Sequence, residues 1–218
     1  MSNIYDKDYF NWQKQVSGEL EGAQIEAKKF IPFINNQDIV LDFGCGGGYL
    51  LSSIPCRRKI GIEINPYARE TAKGYLDEVL SDFQRISDNS IDIIISNHAL
   101  EHVLSPYHEL KEMYRVLKEN GLLILYVPID DWRTQKNVDS NDINHHLFTW
   151  TPQILFNLVT ESGFRVNNAR IFTHAWPPFT LALNRYLPQK IFNFLCVITS
   201  IIYKRRQICL ICEKSLGR

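Results

Sequence analysis

The stretch Val40–Leu51, VLDFGCGGGYLL, constrains the fold of this chain more than any other. The run Ile39-Val40-Leu41 has the length and β-branched content of a buried parallel strand, and Asp42 stands where such a strand ends. Gly44, Gly46, Gly47 and Gly48 then follow within five positions. Glycine permits positive φ and removes the Cβ that would hold a ligand off the backbone. The segment therefore reads as a first strand-to-helix turn against which a bulky ligand lies.

The flanking sequence agrees with an α/β chain. A helical region is expected from Asp6 to about Phe33, closed by Pro32 and the polar turn NNQD. Strands are expected at Ile39–Phe43, Lys59–Glu63, Glu78–Leu80, Ile91–Ser96 and Gly121–Val127. Helices from about Gly48, at Ala68–Tyr75 and at Tyr107–Leu117 alternate with them. After Pro128 a polar segment of about twenty residues interrupts the rhythm, longer than a routine loop. A helix capped by Thr151, with Pro152 in its first turn, closes at Gly163. The strand FRVNNARIF follows, then an apolar insert from Ala175 to Tyr203 and a last strand, Gln207–Glu213. At 218 residues this is most simply one domain.

Spacing narrows the ligand. A dinucleotide fingerprint, G-x-G-x-x-G, needs a third glycine where the helix packs on the strand. Counted from Gly44 and Gly46 that place is Tyr49, and counted from Gly46 and Gly48 it is Leu51, so both registers fail. A carboxylate about twenty residues further on, Glu63, ends the next strand, where it can accept both hydroxyls of a ribose. Asp82 follows the third strand, where an acid and its neighbouring amides reach an adenine edge. A nucleoside fits this set better than a phosphate.

These motifs resemble the class I S-adenosylmethionine-dependent methyltransferases. The matching pieces are VLDFGCGGG, GIEINP, SDF, IDIIISNHALEHV and EMYRVLKENGLLILYVP, covering about Val40 to Pro128. The resemblance implies a Rossmann-like α/β fold with helices on both faces of a seven-stranded sheet, order 3-2-1-4-5-7-6, only strand 7 antiparallel. It also implies S-adenosylmethionine as cofactor across the ends of strands 1, 2 and 4. Asp42, Gly44, Gly46, Glu63, Ile64, Asp82, Phe83, Asn97 and His98 would line its site. NHHLFTWTPQILFNLVTESGF resembles a segment of methyltransferases from polysaccharide and glycan gene clusters. A sugar or glycan precursor is the acceptor this implies, with a lipid-linked or other small molecule next. A nicotinamide or nucleotide-sugar oxidoreductase and a non-catalytic module that keeps the cofactor pocket are the alternatives; the failed glycine register speaks against the first.

A sulfonium methyl is already activated, so the protein must align a nucleophile, exclude water and, for a hydroxyl acceptor, provide a base. Histidine suits that task near neutral pH. His145 and His146 lie side by side after strand 5, and adjacent residues in extended chain point opposite ways, so one is expected to face the site. His145 is favoured over His146 as base. Asn97 is expected to line the pocket and His98 to touch the acceptor or the methionine end. His102 with Glu101 reads as a structural pair at a helix start. The acids Asp130, Asp131, Asp139 and Asp142 read as a solvated loop, and no metal is expected.

Residues 1–33 carry Tyr5, Tyr9, Phe10 and Trp12 on a helical lid over the cofactor, or on an ordinary amphipathic helix that docks by its aromatics. In the insert, residues 175–206, IFNFLCVITSIIY is too short to span a bilayer and is followed by Lys204-Arg205-Arg206. Residues 188–206 would lie on a membrane surface, cover an apolar acceptor, pair two subunits or complete the core. With 24 basic and 24 acidic residues no net field points to nucleic acid. The polar, aromatic N-terminus suggests a cytoplasmic protein, with peripheral contact at the inner membrane face through the insert. Cys209 and Cys212 spell C-x-x-C, but in a strand that spacing sends the side chains to opposite faces, and both read as buried thiols.

Overall fold

The structure is a computed structural model and describes residues 5–130, 137–173, 186–203 and 205–215. Asp131, Lys204, residues 1–4 of the expected lid and residues 175–185 of the expected insert lie outside them. The sheet has seven strands: β1 Ile39–Phe43, β2 Arg58–Ile62, β3 Glu78–Leu80, β4 Ile91–Asn97, β5 Leu117–Ile129, β6 Phe164–Phe172 and β7 Arg206–Lys214. Their order is β3-β2-β1-β4-β5-β7-β6, as expected. β1 to β5 pair in parallel, and β7 runs antiparallel to both neighbours.

Alternation along the strands builds two cores. Leu41 and Phe43 of β1 face one with Leu110 and Met113 of α5 (Pro106–Val116) and Leu155 and Val159 of α6 (Pro152–Glu161). Val40 faces the other with Ala27 of α2 (Glu19–Ala27), Leu51 of α3 (Tyr49–Ser52) and Ala72 of α4 (Pro66–Ala72). Cys209 and Cys212 are buried in opposite cores, which bears out the strand reading of C-x-x-C.

Several boundaries differ from expectation, among them α4, found at Pro66–Ala72 where Ala68–Tyr75 was expected. The N-terminal helical region breaks at Gly18, which adopts φ 70° and separates α1 (Lys7–Ser17) from α2. β5 begins at Leu117, which pairs with Ile91 before the ladder shifts and resumes at Leu122; Asn120 at φ 61° and Gly121 make that excursion. The helix after the glycines, α3, is only four residues long. Thr151 caps α6 by accepting from the Ile154 amide at 3.2 Å, as its sequence implies. The insert yields α7, Gln189–Ile202, whose inner face packs Phe192 and Cys196 on Ile25 of α2.

Candidate active site

Parallel strands that stop at one edge leave their following loops on one side of the sheet, and these loops surround a cavity of about 610 Å³. Its walls are the glycine turn after β1, the loop after β4, the end of β5, and Asn144 and His146. Tyr9, Phe10, Trp12 and Gln13 of α1 form another wall. The end of α7 and start of β7 add Tyr203, Arg205 and Arg206.

The glycine turn is held from below by strand ends. Gly44 and Cys45 donate their amides to the Ile62 carbonyl at 2.8 and 3.0 Å. Gly44 needs its missing side chain: at φ +74° an added Cβ would sit 2.3 Å from Ala99 Cβ. At Gly46, φ +53°, the same atom would meet only the Gln13 side chain, 3.4 Å away across the cavity wall. The turn is therefore a cradle that a Cβ would partly fill.

Glu63 fixes the cradle from a second direction. Its Oε2 accepts from the Gly46 amide and its Oε1 from the Asn65 amide, both at 2.8 Å. Asn65 caps α4 and donates its Nδ2 to the Asp6 carbonyl at 2.9 Å, tying the turn to α1. Each carboxylate oxygen retains a second lone pair for a ribose hydroxyl. Burial raises the Glu63 pKa against the lowering pull of these amides. Asp42, which lines the cavity, is pushed up to about 8 by burial and then by the charge of Glu63.

Not every expected residue lines this cavity. Asp42, Gly44, Gly46, Asn97, His98 and His146 do; Glu63, Ile64, Asp82 and Phe83 are not among its walls. Ile64 is exposed beside Glu63. Asp82 is exposed in its own turn, accepting from the Gln84 amide. The Phe83 ring is buried in a stack on Phe43, 5.7 Å between centroids, so this ring belongs to the core and the polar surface of the loop is Asp82.

Of the two adjacent histidines, His146 lines the cavity and the favoured His145 does not. His145 takes φ 50°, a left-handed turn pinned by Asp142, and its side chain is not a cavity wall. His146 is the one that faces inward. An extended chain cannot be assumed here, because the Leu147 and Phe148 amides both dock on the Glu101 carbonyl, at 2.9 and 3.2 Å, and draw the segment across the loop after β4. His146 Nδ1 donates to Asp130 Oδ2 at 2.7 Å. Burial opposes protonation of His146, but the hydrogen bond and charge of Asp130 outweigh it and raise its pKa.

Glu101 is the group the sequence did not reveal. It is fully buried, it lines the cavity, and neither carboxylate oxygen has a hydrogen-bond partner. Burial pushes its pKa up to about 7. The His102 and His146 Nε2 atoms both stand 3.9 Å from Glu101 Oε1, and His98 Nδ1 stands 3.6 Å away. The signal available in the sequence was positional: LEH follows β4 and HH follows β5, and adjacent parallel strands end side by side.

Comparison with known proteins shows what the chain is similar to. Residues 41–125 match a methyltransferase domain. The match spans most of β1 to β5, the part that holds the glycine turn and the loop after β4. A curated uncharacterized methyltransferase of Mycobacterium leprae is 34% identical over 96 residues, 40% of this chain and 36% of its own length. The sterol 24-C-methyltransferase of Pneumocystis carinii is 30% identical over 135 residues, 56% of this chain and 35% of its own. The chain thus spans only about a third of these relatives. Among solved structures, a SAM-dependent methyltransferase of Archaeoglobus fulgidus has a TM-score of 0.67 at 19% identity, covering 94% of this chain and 99% of that one. A possible histamine N-methyltransferase of Thermotoga maritima has 0.67 at 16%, covering 99% and 100%. At such identities the likeness is one of fold.

Proposed function

We propose that this protein transfers a methyl group from S-adenosylmethionine to oxygen or nitrogen of a small acceptor, a sugar or glycan precursor. One observation carries the reading. One cavity runs from a glycine cradle to a buried cluster of carboxylate and imidazole, so the methionine end of a donor and a polar acceptor would meet there, with the nucleoside reaching out along Glu63 and Asp82. The residues suit the donor: at Gly46 the backbone lies at the cavity wall with the flexible Gln13 side chain as neighbour, and Asn97 Oδ1 is buried with no partner. Asp42 and Glu101 are carboxyl groups suited to a cationic ligand.

Glu63 and Asp82 would hold the ribose and the adenine edge, and Asp42 and Asn97 the methionine end. Bound S-adenosylmethionine supplies a methyl on a positively charged sulfur, a leaving group that needs no further activation. The chain's own work is then to close and to manage a proton. Tyr9, Phe10 and Trp12 of α1 exclude water from the cavity. His146, oriented through Nδ1 by Asp130, receives the acceptor's proton on the side facing the cavity, and Asp130 stabilises the imidazolium.

The outer face of α7 bears on the carrier of the acceptor. Ile191, Phe194, Ile198 and Ile201 form an exposed stripe, and the helix has no acidic residue. Arg205 and Arg206 follow it at the cavity wall. No described helix is long and apolar enough to cross a membrane. A cytoplasmic protein resting this stripe on an anionic inner surface, and taking a lipid-linked acceptor there, fits that arrangement. Sedimentation with anionic vesicles tests this, and dimerisation in their absence would assign the stripe to a second subunit instead.

Calorimetric titration with S-adenosylhomocysteine, beside a nicotinamide dinucleotide control, tests the donor assignment. Micromolar binding of the first alone is expected. Methyl transfer from labelled donor to a panel of sugars then tests the acceptor. Tight donor binding with no transfer to any acceptor would move the chain to the non-catalytic reading.

A further inference from the structure

We propose that Glu101, His102 and His146 form a binding site for one divalent transition-metal ion at the acceptor end of the cavity. The three donor atoms all lie within 4.8 Å of one another. The inference rests on the methyltransferase reading for its chemistry, but the site is built from this chain's own geometry.

The first observation is the carboxylate. Glu101 is wholly buried with both oxygens unpartnered, which is costly unless something in the cavity satisfies them. The second is the way both imidazoles are held. His102 Nδ1 lies 3.3 Å from the His145 carbonyl, which can only accept, and His146 Nδ1 lies 2.7 Å from Asp130 Oδ2. Both Nδ1 atoms therefore carry the proton and both Nε2 atoms offer a lone pair, the arrangement by which proteins orient histidine ligands. The Asn144 amide, donating to His146 Nε2 at 2.9 Å, agrees with that tautomer and would swing away when an ion takes its place.

The distances match a vacant site better than a hydrogen-bonded one. At 3.9 Å from Glu101 Oε1, both Nε2 atoms are too far to bond to it. Ligands about 2.1 Å from a tetrahedral ion stand roughly 3.4 Å apart, so small side-chain movements would close the set. Two imidazoles and one carboxylate favour zinc, iron(II), cobalt(II) or manganese over magnesium or calcium, which prefer all-oxygen shells. His98 stands next to Glu101, and open positions face the cavity. An ion there lowers the pKa of an acceptor hydroxyl that it touches, so the proton can leave to solvent. With the ion bound, His146 Nε2 is a ligand, so the base role given to His146 above belongs to the ion-free site. The acceptor oxygen then bonds the methyl carbon as the carbon–sulfur bond breaks and sulfur keeps the electron pair, giving S-adenosylhomocysteine.

The test uses the full chain, stripped by chelator and titrated with cobalt(II), read by visible absorption and calorimetry, with zinc competition. One equivalent is expected at micromolar affinity. Glu101→Gln and His102→Gln should each weaken it at least tenfold, and His145→Asn should not change it. If Glu101→Gln fails to fold, His102→Gln decides. No uptake by the wild type, or uptake indifferent to both substitutions, overturns the site. S-adenosylhomocysteine binding is measured in the same samples: its retention with no metal uptake refutes the ion alone, and its absence beside a bound ion refutes the methyltransferase reading.

Discussion

Glu63→Ala removes a group that the structure uses twice, and the two uses separate in measurement. Its carboxylate accepts the Gly46 and Asn65 amides at 2.8 Å each. A hydrogen bond to a charged group is worth about 1.5–3 kcal/mol. Two of them come to about 3–6 kcal/mol, less the desolvation relieved when a buried carboxylate leaves. Burial, which raises the Glu63 pKa, opposes the amide hydrogen bonds, so a loss toward the low end of that range, about 3 kcal/mol, is expected. Glu63→Gln keeps one carbonyl acceptor and turns an N–H donor toward the other amide, and should lose about half as much. Urea unfolding with an unchanged m-value reads this part. Calorimetry of the folded variants with S-adenosylhomocysteine reads the other: the ribose hydroxyls lose their acceptor, and affinity should fall about 10-fold to 150-fold. A loss of stability below about 1 kcal/mol would refute the claim that Glu63 anchors the glycine cradle. Unchanged affinity in a folded Glu63→Ala variant would refute the ribose placement.

Gly44→Ala should cost about 2–4 kcal/mol, from the left-handed φ and the 2.3 Å approach to Ala99 Cβ, and adding Ala99→Gly should restore the steric share. Gly46→Ala should cost only about 1 kcal/mol in urea unfolding while weakening S-adenosylhomocysteine more than that, because its Cβ would make ordinary contact with the Gln13 side chain at the cavity wall. His146→Asn should lower methyl transfer about 100-fold or more with donor affinity unchanged, whereas His145→Asn should not; equal losses would return the base to His145. Asp42 has a folded pKa raised from 3.8 to about 8, so the native state holds a proton that the unfolded chain has released. Its contribution is therefore intact below about 4 and declines as pH rises toward about 8, by at most about 1.4 kcal/mol per unit. Asp42→Asn should flatten that part of the urea midpoint profile, and an identical slope would show that Asp42 is ionised in the fold.

The strands and the glycine turn were legible because each is local. β-branched runs, a terminal acid and clustered glycines fix backbone conformation over a few residues, and parallel order follows from their alternation with helices. The seven-stranded order came from likeness, and the pairings bear it out. The opposite burial of Cys209 and Cys212 was legible for the same local reason, the two-residue period of a strand. The Phe83 ring was harder to place, since only packing on Phe43 shows that it belongs to the core.

The acceptor end depended on contacts between residues far apart in sequence. Asp130 meets His146 across 16 positions, and His102 meets the His145 carbonyl across 43. No periodicity encodes such meetings; they arise because neighbouring parallel strands end at one edge and their loops share the space beyond it. The sequence favoured His145 over His146; the Asp142-pinned turn at His145 and the docking of the Leu147 and Phe148 amides on the Glu101 carbonyl put His146 at the cavity instead. The sequence by itself determined the layered fold and the glycine cradle, because both are written in local backbone preferences. Only the tertiary structure decided which imidazole faces the cavity and that a fully buried carboxylate waits there unpaired, because burial and partnership are properties of the assembled loops.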